Sequence, residues 1–221
     1  LTWPMTVTGQ AQSELFADDA ITFGRSPIDY YGPAEQNRIA DLAARLEAGQ
    51  PQVEGDSRHG RVPSLLAALD IPFESQVLVF SKTSLHQQLI SPVTPRAIYF
   101  NDDVYVAFVP GAASLELSAI DRGKGAMFYT LFAHEQERPQ FQREERCIVC
   151  HAAQSTLQVP GHMLKSFETT ETGKLVEGYS RVTQNTPYEN RWGGWYVSGQ
   201  PTDLVHHGNL IGAAEYRQHE K

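Results

Sequence analysis

The feature that most constrains this chain is Cys147-Ile148-Val149-Cys150-His151, which contains the only two cysteines among 221 residues. The thiols are three positions apart, so one helical turn would bring them to the same side, and a histidine follows directly. Paired cysteines at this spacing occur in structural zinc sites, redox dithiols, disulfides and sites of covalent haem attachment. Each of these needs different neighbours, so the rest of the sequence has to distinguish them.

The zinc and dithiol interpretations find little support elsewhere in the chain. A structural zinc site needs four ligands in a tetrahedral arrangement, and only two thiolates exist. His162 follows the motif, but no second histidine comes three to five residues later. A redox dithiol usually opens a helix within a βαβ unit, whereas the segments before this motif look antiparallel. A simple disulfide remains a further alternative.

Covalent attachment of haem uses all three residues of the motif. Each thiol adds to a vinyl group to give a thioether, and the adjacent histidine binds the iron as the proximal ligand. The spacing suits this chemistry, because one turn lets Cys147 and Cys150 reach two porphyrin edges while His151 lies under the metal. The motif therefore predicts one covalently bound haem c.

Four segments resemble a group of large, single-haem bacterial cytochromes over about residues 75–212: "SPVTPRAIYFNDDVYV", "CIVCHAAQSTLQVPGH", "RWGGWYVSG" and "HHGN". In that group the last motif is His-Met-Gly-Asn, so His206 is the matching histidine and His207 replaces the methionine. The resemblance implies haem attachment outside the cytoplasm, hence a periplasmic or secreted protein. The start at Leu1, without an initiator methionine, agrees with an exported mature form.

The second axial ligand of the iron decides whether a haem transfers electrons or binds a small ligand. We predict His206 for this position. His207, Met163, His162, His86 and an open site are the alternatives. Each of these side chains has a plainer role available, at the surface or in the core.

A haem also needs donors for its propionates and aromatic walls for its faces. The segment "RWGGWYV" supplies both in Arg191, Trp192, Trp195 and Tyr196. Arg96 and Arg146 are further candidates. The tryptophans could equally pack a strand in the core, and Gly193 and Gly194 would permit a close backbone approach or a bulge.

The chain as a whole predicts an α+β fold with N-terminal helices, a central antiparallel sheet and a loop-rich C-terminal haem lobe. Apolar residues at helical spacing predict a helix in "PAEQNRIADLAARLEAGQ", with Pro33 near its first turn, and shorter helices in "VPSLLAALD" and "SLHQQLI". "SQVLVFSK" predicts a buried strand, and residues 96–132 predict a meander of three or four strands that turns at residues 101–103. "TGKLVEGYS" predicts a hairpin and "RWGGWYVSG" a strand.

We expect one haem-binding domain over residues 1–221, with an extended arm at 1–33, a mainly helical part at 34–95, and the sheet and haem lobe at 96–221. An antiparallel sheet that runs directly into CxxCH is similar to periplasmic sensor domains with covalent haem on a PAS-like sheet. That similarity is one of fold only.

The net charge of −8 and the lack of a basic run argue against nucleic acid or an anionic membrane as partner, and no apolar run is long enough to cross a bilayer. We expect instead a redox partner protein with a basic docking patch. These features predict an electron-transfer cytochrome. The alternative is a haem enzyme or a gas or redox sensor, which the length of the chain favours, because an electron carrier needs only about a hundred residues.

Overall fold

The computed structural model describes residues 23–50, 52–55, 59–132, 139–199 and 204–219. Within them the chain forms an α+β fold that is mostly sheet. The helices are α1 (Arg38–Glu47), α2 (Val62–Ala68), α3 (Ile148–His151) and α4 (Ala213–His219). No helix in these ranges is both long and apolar enough to cross a membrane.

The nine strands in the described part of the chain divide into a sheet of seven and a separate hairpin. Their bounds are β1 (Val77–Val79), β2 (Arg96–Phe100), β3 (Val104–Phe108), β4 (Ser114–Asp121), β5 (Gly125–Phe132), β6 (Gln142–Arg143), β7 (Leu164–Thr169), β8 (Leu175–Val182) and β9 (Trp195–Tyr196). Strands β1 to β6 pair antiparallel in chain order, and β9 adds to the free edge of β1. The predicted meander is confirmed and is longer at both ends, since β1 and β6 also belong to it.

The two faces of the large sheet differ in polarity because side chains alternate along each strand. On β4, Leu115 and Leu117 are buried in the hydrophobic core, whereas Glu116 between them is half-buried on the opposite face. Helices α1 and α2 contribute their apolar faces to this core through Ile39, Leu42, Leu46, Val62, Leu65 and Leu66. The opposite face is the one that carries polar side chains.

Helix α1 confirms the predicted first helix but begins later than its sequence punctuation suggests. Asn37, not Pro33, caps it: the Asn37 Oδ1 accepts hydrogen bonds from the backbone N–H groups of Ile39 and Ala40, each at 3.1 Å. Gly49 follows the helix with a positive φ of 90°. An asparagine at this position satisfies donors that the helix itself leaves unpaired.

Three other predictions are modified by the structure. "SLHQQLI" forms only a 3-10 turn over Gln87–Leu89, and the predicted aromatic strand is limited to the two residues of β9. "TGKLVEGYS", predicted as a hairpin, supplies only part of the turn and the second strand, β8, of a hairpin whose first strand is β7; Thr170 N donates to Lys174 O at the turn. Of the predicted arm, residues 1–22 lie outside the described residues, and 23–33 form turns.

A buried carboxylate joins α1 to the β4–β5 turn. Asp121 accepts hydrogen bonds from Gln36 N (2.6 Å) and Asn37 Nδ2 (3.1 Å) through one oxygen. Its other oxygen accepts from Gly123 N (2.9 Å) and Lys124 N (3.0 Å). Burial alone would raise the pKa of Asp121, but these donors outweigh it and hold the pKa below its usual range.

The same asparagine links this carboxylate to a second chain of bonds. Asn37 Nδ2 also donates to Tyr129 OH at 2.9 Å, and that hydroxyl donates to Glu35 at 3.0 Å. Glu35 forms an ion pair with Arg143 at 3.4 Å, and the guanidinium of Arg143 donates to the carbonyl of Gly32. The N-terminus of α1 is thereby fixed against strands β4, β5 and β6.

We expect Asn37→Ala to lower the free energy of unfolding by about 2–3 kcal/mol, because it removes a helix cap and leaves Asp121 and Tyr129 short of a donor. Denaturant unfolding measures this. Asn185, an exposed asparagine, is the control, and Asn185→Ala should cost less than about 0.5 kcal/mol. A cost for Asn37→Ala as small as that of the control would contradict the network's role.

The depressed pKa of Asp121 gives a pH prediction. A carboxylate whose pKa is lowered by folding stabilises the protein above its unfolded-state pKa of about 3.9, and that contribution is lost as the pH falls through the folded-state value. Asp121→Asn should therefore destabilise the protein clearly at pH 7 and progressively less below about pH 4. Asp70→Asn serves as the control, since the Asp70 side chain is 82% exposed in its ion pair with Arg38. A destabilisation by Asp121→Asn that does not change with pH would contradict the account.

Candidate functional site

The CxxCH pentapeptide begins in a 3-10 turn over Glu145–Cys147 and continues as α3, which ends at His151. Ile148 anchors the pentapeptide, since it is buried in the core and Cys147 packs partly against the same cluster. Cys147 is half-buried and Cys150 is exposed, and both thiols are free. The two sulfurs are thus available on a short helix that is fixed by one apolar side chain.

His151 is oriented by a backbone carbonyl. Its Nδ1 lies 3.0 Å from Gly161 O, and its ring packs against the Phe128 ring with centroids 4.5 Å apart. A carbonyl can only accept, so Nδ1 carries the proton and the lone pair of the neutral ring is on Nε2. Burial lowers the pKa of His151, and the charges of Lys165 and Arg96 act in the same direction. The imidazole is therefore held in the tautomer that leaves Nε2 free to bind a metal.

The thiol of Cys147 is not activated as a nucleophile. Burial, followed by the carboxylates of Glu116 and Glu144, raises the pKa of this thiol to about 12. Redox dithiols and thiolate nucleophiles have lowered pKa values instead. This electrostatic environment disfavours the dithiol interpretation.

Arg96, predicted from the sequence as a cofactor residue, lies on the polar face of the sheet. It pairs with Glu116 at 3.3 Å, and Glu116 also accepts from Ser84 Oγ (2.8 Å) and Leu85 N (2.7 Å). Arg96 Nε is buried and has no hydrogen-bond partner among the described residues. A guanidinium with one unused donor in a buried setting is suited to bind a carboxylate.

His206 has the opposite tautomer from His151. Its Nδ1 accepts a hydrogen bond from Gly208 N at 3.0 Å, so the proton of the neutral ring is on Nε2. Its ring neighbour is Tyr188, at a centroid distance of 5.9 Å. To bind iron through Nε2, His206 would have to break this bond and change its tautomer.

His207 lies against α4. Its ring is 5.5 Å from the rings of both Tyr216 and His219, and its backbone N donates to Arg191 O. The hydroxyl of Tyr216 in turn donates to Phe167 O at 3.0 Å. These contacts place His207 against α4, and α4 is in turn bonded to β7 through Tyr216.

The remaining candidates for the second axial ligand are divided between the polar face and the loop after α3. His162 Nε2 lies 2.5 Å from Ser118 Oγ, and His86 Nε2 lies 3.0 Å from Ser114 Oγ. Met163 Sδ accepts from Ser155 Oγ at 3.7 Å. Burial, with a smaller contribution from His151, lowers the pKa of His162 to about 4, so this imidazole is neutral at pH 7.

The predicted residues of "RWGGWYV" have structural partners. Arg191 donates to Thr186 O and Gln184 O, and Trp195 Nε1 donates to Lys165 O at 3.0 Å. Trp192 has a left-handed φ of 72°, and its ring lies 6.3 Å from that of Trp195. Trp195 opposes Val79, which in turn opposes Arg96, so it shares the polar face at a distance of two strands.

Gly193 and Gly194 permit close packing between protein segments. A Cβ on Gly193 would overlap Phe167 O and Ser166 Oγ of β7. A Cβ on Gly194 would overlap Ser81, next to β1, and φ at Gly194 is +82°. The expected close approach is therefore made by neighbouring chain segments.

Arg146, the last predicted donor, is exposed and bonded to Glu144 at 2.6–2.7 Å.

The sequence interpretation did not single out Glu116, Ser118, Phe128 or Gly161. The first two could have been found from "SLELSAID", in which polar residues occupy every second position of a strand. Gly161 acts through its backbone carbonyl, which every residue has, so its role cannot be predicted from the residue type.

Among the described residues, no three His, Cys, Asp or Glu side chains are grouped so that they could hold a metal ion. Comparisons of this chain with protein-family models, with curated proteins and with solved structures found no match.

Proposed function

We propose that this protein is a monohaem c-type cytochrome that transfers electrons, with the haem bound covalently to Cys147 and Cys150 and His151 as proximal ligand. The observation that carries the proposal is the bond from His151 Nδ1 to Gly161 O. Histidines that bind metals usually donate their other ring N–H to a carbonyl or carboxylate, which fixes the ring and its tautomer. In a CxxCH sequence this arrangement is the one expected of a proximal ligand.

The thiols fit this attachment. In each thioether the S–H adds across a vinyl double bond, so that sulfur bonds to one carbon and hydrogen to the other, and no electrons are exchanged with a further reactant. Both sulfurs are free, so each can contribute its S–H to one such addition.

Arg96 is suited to bind a haem propionate. Its buried Nε has no partner in the part of the chain that the structure describes, and a propionate carboxylate would satisfy this donor. The charge of Arg96 also interacts with both Cys147 and His151. Arg191 is already bonded to two backbone carbonyls, so Arg96 is the better candidate of the two.

The exposure of the motif at Cys150 supports electron transfer as the function. Haem supplies a one-electron Fe(III)/Fe(II) couple, and Cys150 is exposed, so a partner protein can approach the group that this cysteine carries. The net charge of −8 favours a partner with a basic docking patch. Thioether attachment outside the cytoplasm, hence a periplasmic or secreted location, belongs to the same proposal.

The likeness to PAS-like haem sensors is also part of this proposal. It is supported by the antiparallel meander, whose last strand, β6, ends at Arg143, four residues before Cys147. We infer that residues 144–163, together with β7, β8 and the segment around β9, form the haem lobe on the polar face of the sheet.

The contacts of His206 and His207 favour a second candidate function, a haem enzyme or a gas or redox sensor with an open or labile distal site. The His206 ring contacts Tyr188 and the His207 ring contacts Tyr216. His206 also carries its proton on Nε2, the nitrogen that would bind iron. A distal position that neither histidine fills would admit a small ligand.

Optical spectra of the oxidised and reduced protein, with and without carbon monoxide, test the function. An electron carrier with two axial ligands should show a c-type reduced spectrum that carbon monoxide leaves unchanged at neutral pH. A shift on adding carbon monoxide would move the assignment to the second candidate. His206→Ala, recorded in parallel, should change the spectrum only if His206 binds the iron.

We expect Arg96→Gln to lower the midpoint potential of the haem, because removing a nearby cation disfavours the added electron. Arg191→Gln is the matched control, since its guanidinium is bonded to carbonyls, and it should leave the potential nearer to that of the parent. Potentiometric titration measures both. The reverse ranking would assign the propionates to Arg191.

A further inference from the structure

We propose that Ser118 and His162 are positioning residues, which hold the Gly161 carbonyl where it orients the ring of His151. The inference rests on the proposed function, because it concerns the same axial ligand. It assigns these two side chains a role in setting the properties of the haem without contact to the iron.

Gly161 is hydrogen-bonded to His151 at two places. The carbonyl of Gly161 accepts from His151 Nδ1 at 3.0 Å, and the N–H of Gly161 donates to His151 O at 2.9 Å. Residue 161 therefore bonds both the side chain and the backbone of residue 151. Any movement of this peptide changes the direction of the bond to Nδ1.

On the N-terminal side of Gly161, Pro160 is fixed to the sheet. Pro160 O accepts a hydrogen bond from Ala126 N at 3.0 Å, at the start of β5. Gly125, with φ of +77°, allows this close approach, because a Cβ there would overlap Pro160 O. Residue 160 is thus attached to the sheet by a backbone hydrogen bond.

On the C-terminal side of Gly161, the side chain of His162 is fixed to the sheet by other side chains. Ser118 Oγ lies 2.5 Å from His162 Nε2, and Ser118 is buried on the polar face of β4. The His162 ring also packs against Tyr105, with centroids 4.6 Å apart, and Tyr105 opposes Ser118 across β3 and β4. The His162 ring also lies 6.0 Å from the ring of Phe128 on β5. His162 is therefore held to three neighbouring strands, one residue beyond Gly161.

These contacts also argue against His162 as the second axial ligand. His162 Nε2 is bonded to Ser118 Oγ, and residue 162 directly follows the carbonyl that accepts from His151 Nδ1. Iron bound to His151 would be bound on the Nε2 side. The backbone of residue 162 therefore adjoins the peptide that is bonded to the Nδ1 side of the proximal ring.

A hydrogen bond from Nδ1 to a carbonyl increases the electron donation of a metal-bound imidazole. Weakening it should favour the reduced iron and so raise the midpoint potential. It should also expose the Nδ1 proton to exchange with water, roughly fivefold faster for the loss of one typical hydrogen bond.

The test compares two serines of the same strand. Ser118→Ala removes the bond to His162, whereas Ser114→Ala removes the bond to His86 on the same face of β4 and is the matched control. His162→Ala and His162→Gln complete the set, since glutamine retains a partner for Ser118 Oγ. The measurements are the midpoint potential and the exchange rate of the His151 Nδ1 proton in the reduced protein.

We expect Ser118→Ala and His162→Ala to raise the potential and speed the exchange, with a smaller effect for His162→Gln and none for Ser114→Ala. Parent values for Ser118→Ala and His162→Ala in a haem-loaded protein would overturn the inference and leave the proposed function intact. A high-spin spectrum in His162→Ala alone would overturn it by making His162 an iron ligand. A parent protein without covalent haem would overturn the proposed function, and the inference with it.

Discussion

The alternation of side chains along β4 determines how the rest of the molecule is arranged. Leu115 and Leu117 face the helices, and Glu116 and Ser118 face the other way. Because the period of a strand is two, a shift of one residue would turn Glu116 and Ser118 towards the helices and the two leucines towards the opposite face. The register of β4 therefore decides which side of the sheet is the core and which side faces the CxxCH segment.

The turn between β4 and β5 connects the two sides. At its start, Asp121 is bonded to Gln36 and to the cap residue Asn37, directly before α1, which fixes the helical layer. A few residues later, Ala126 is bonded to Pro160 and so fixes the segment that orients His151. The stability of the core and the geometry of the candidate haem site thus depend on one hairpin.

The sequence predicted the elements whose patterns are local: the amphipathic α1, the meander, and a hairpin near residues 172–180, where the structure has the turn and second strand of the hairpin. The cysteine motif and Arg96 could be singled out from the sequence, and the structure places Arg96 on the polar face, paired with Glu116. The environment of the other candidates depends on tertiary contacts that residue types do not encode. Arg191 is bonded to carbonyls of its own loop, and the tautomer of His206 is set by a backbone N–H. The orientation of His151 likewise depends on a carbonyl, which every residue possesses.

The central claim is that the two thiols carry a haem, and the intact mass of the denatured protein tests it most directly. The protein should be produced with export to the periplasm of a host that attaches haem to cytochromes, and then treated with an alkylating reagent. We predict a mass that includes one haem and no alkyl group on Cys147 or Cys150. A mass without haem, with both cysteines alkylated, would contradict the account.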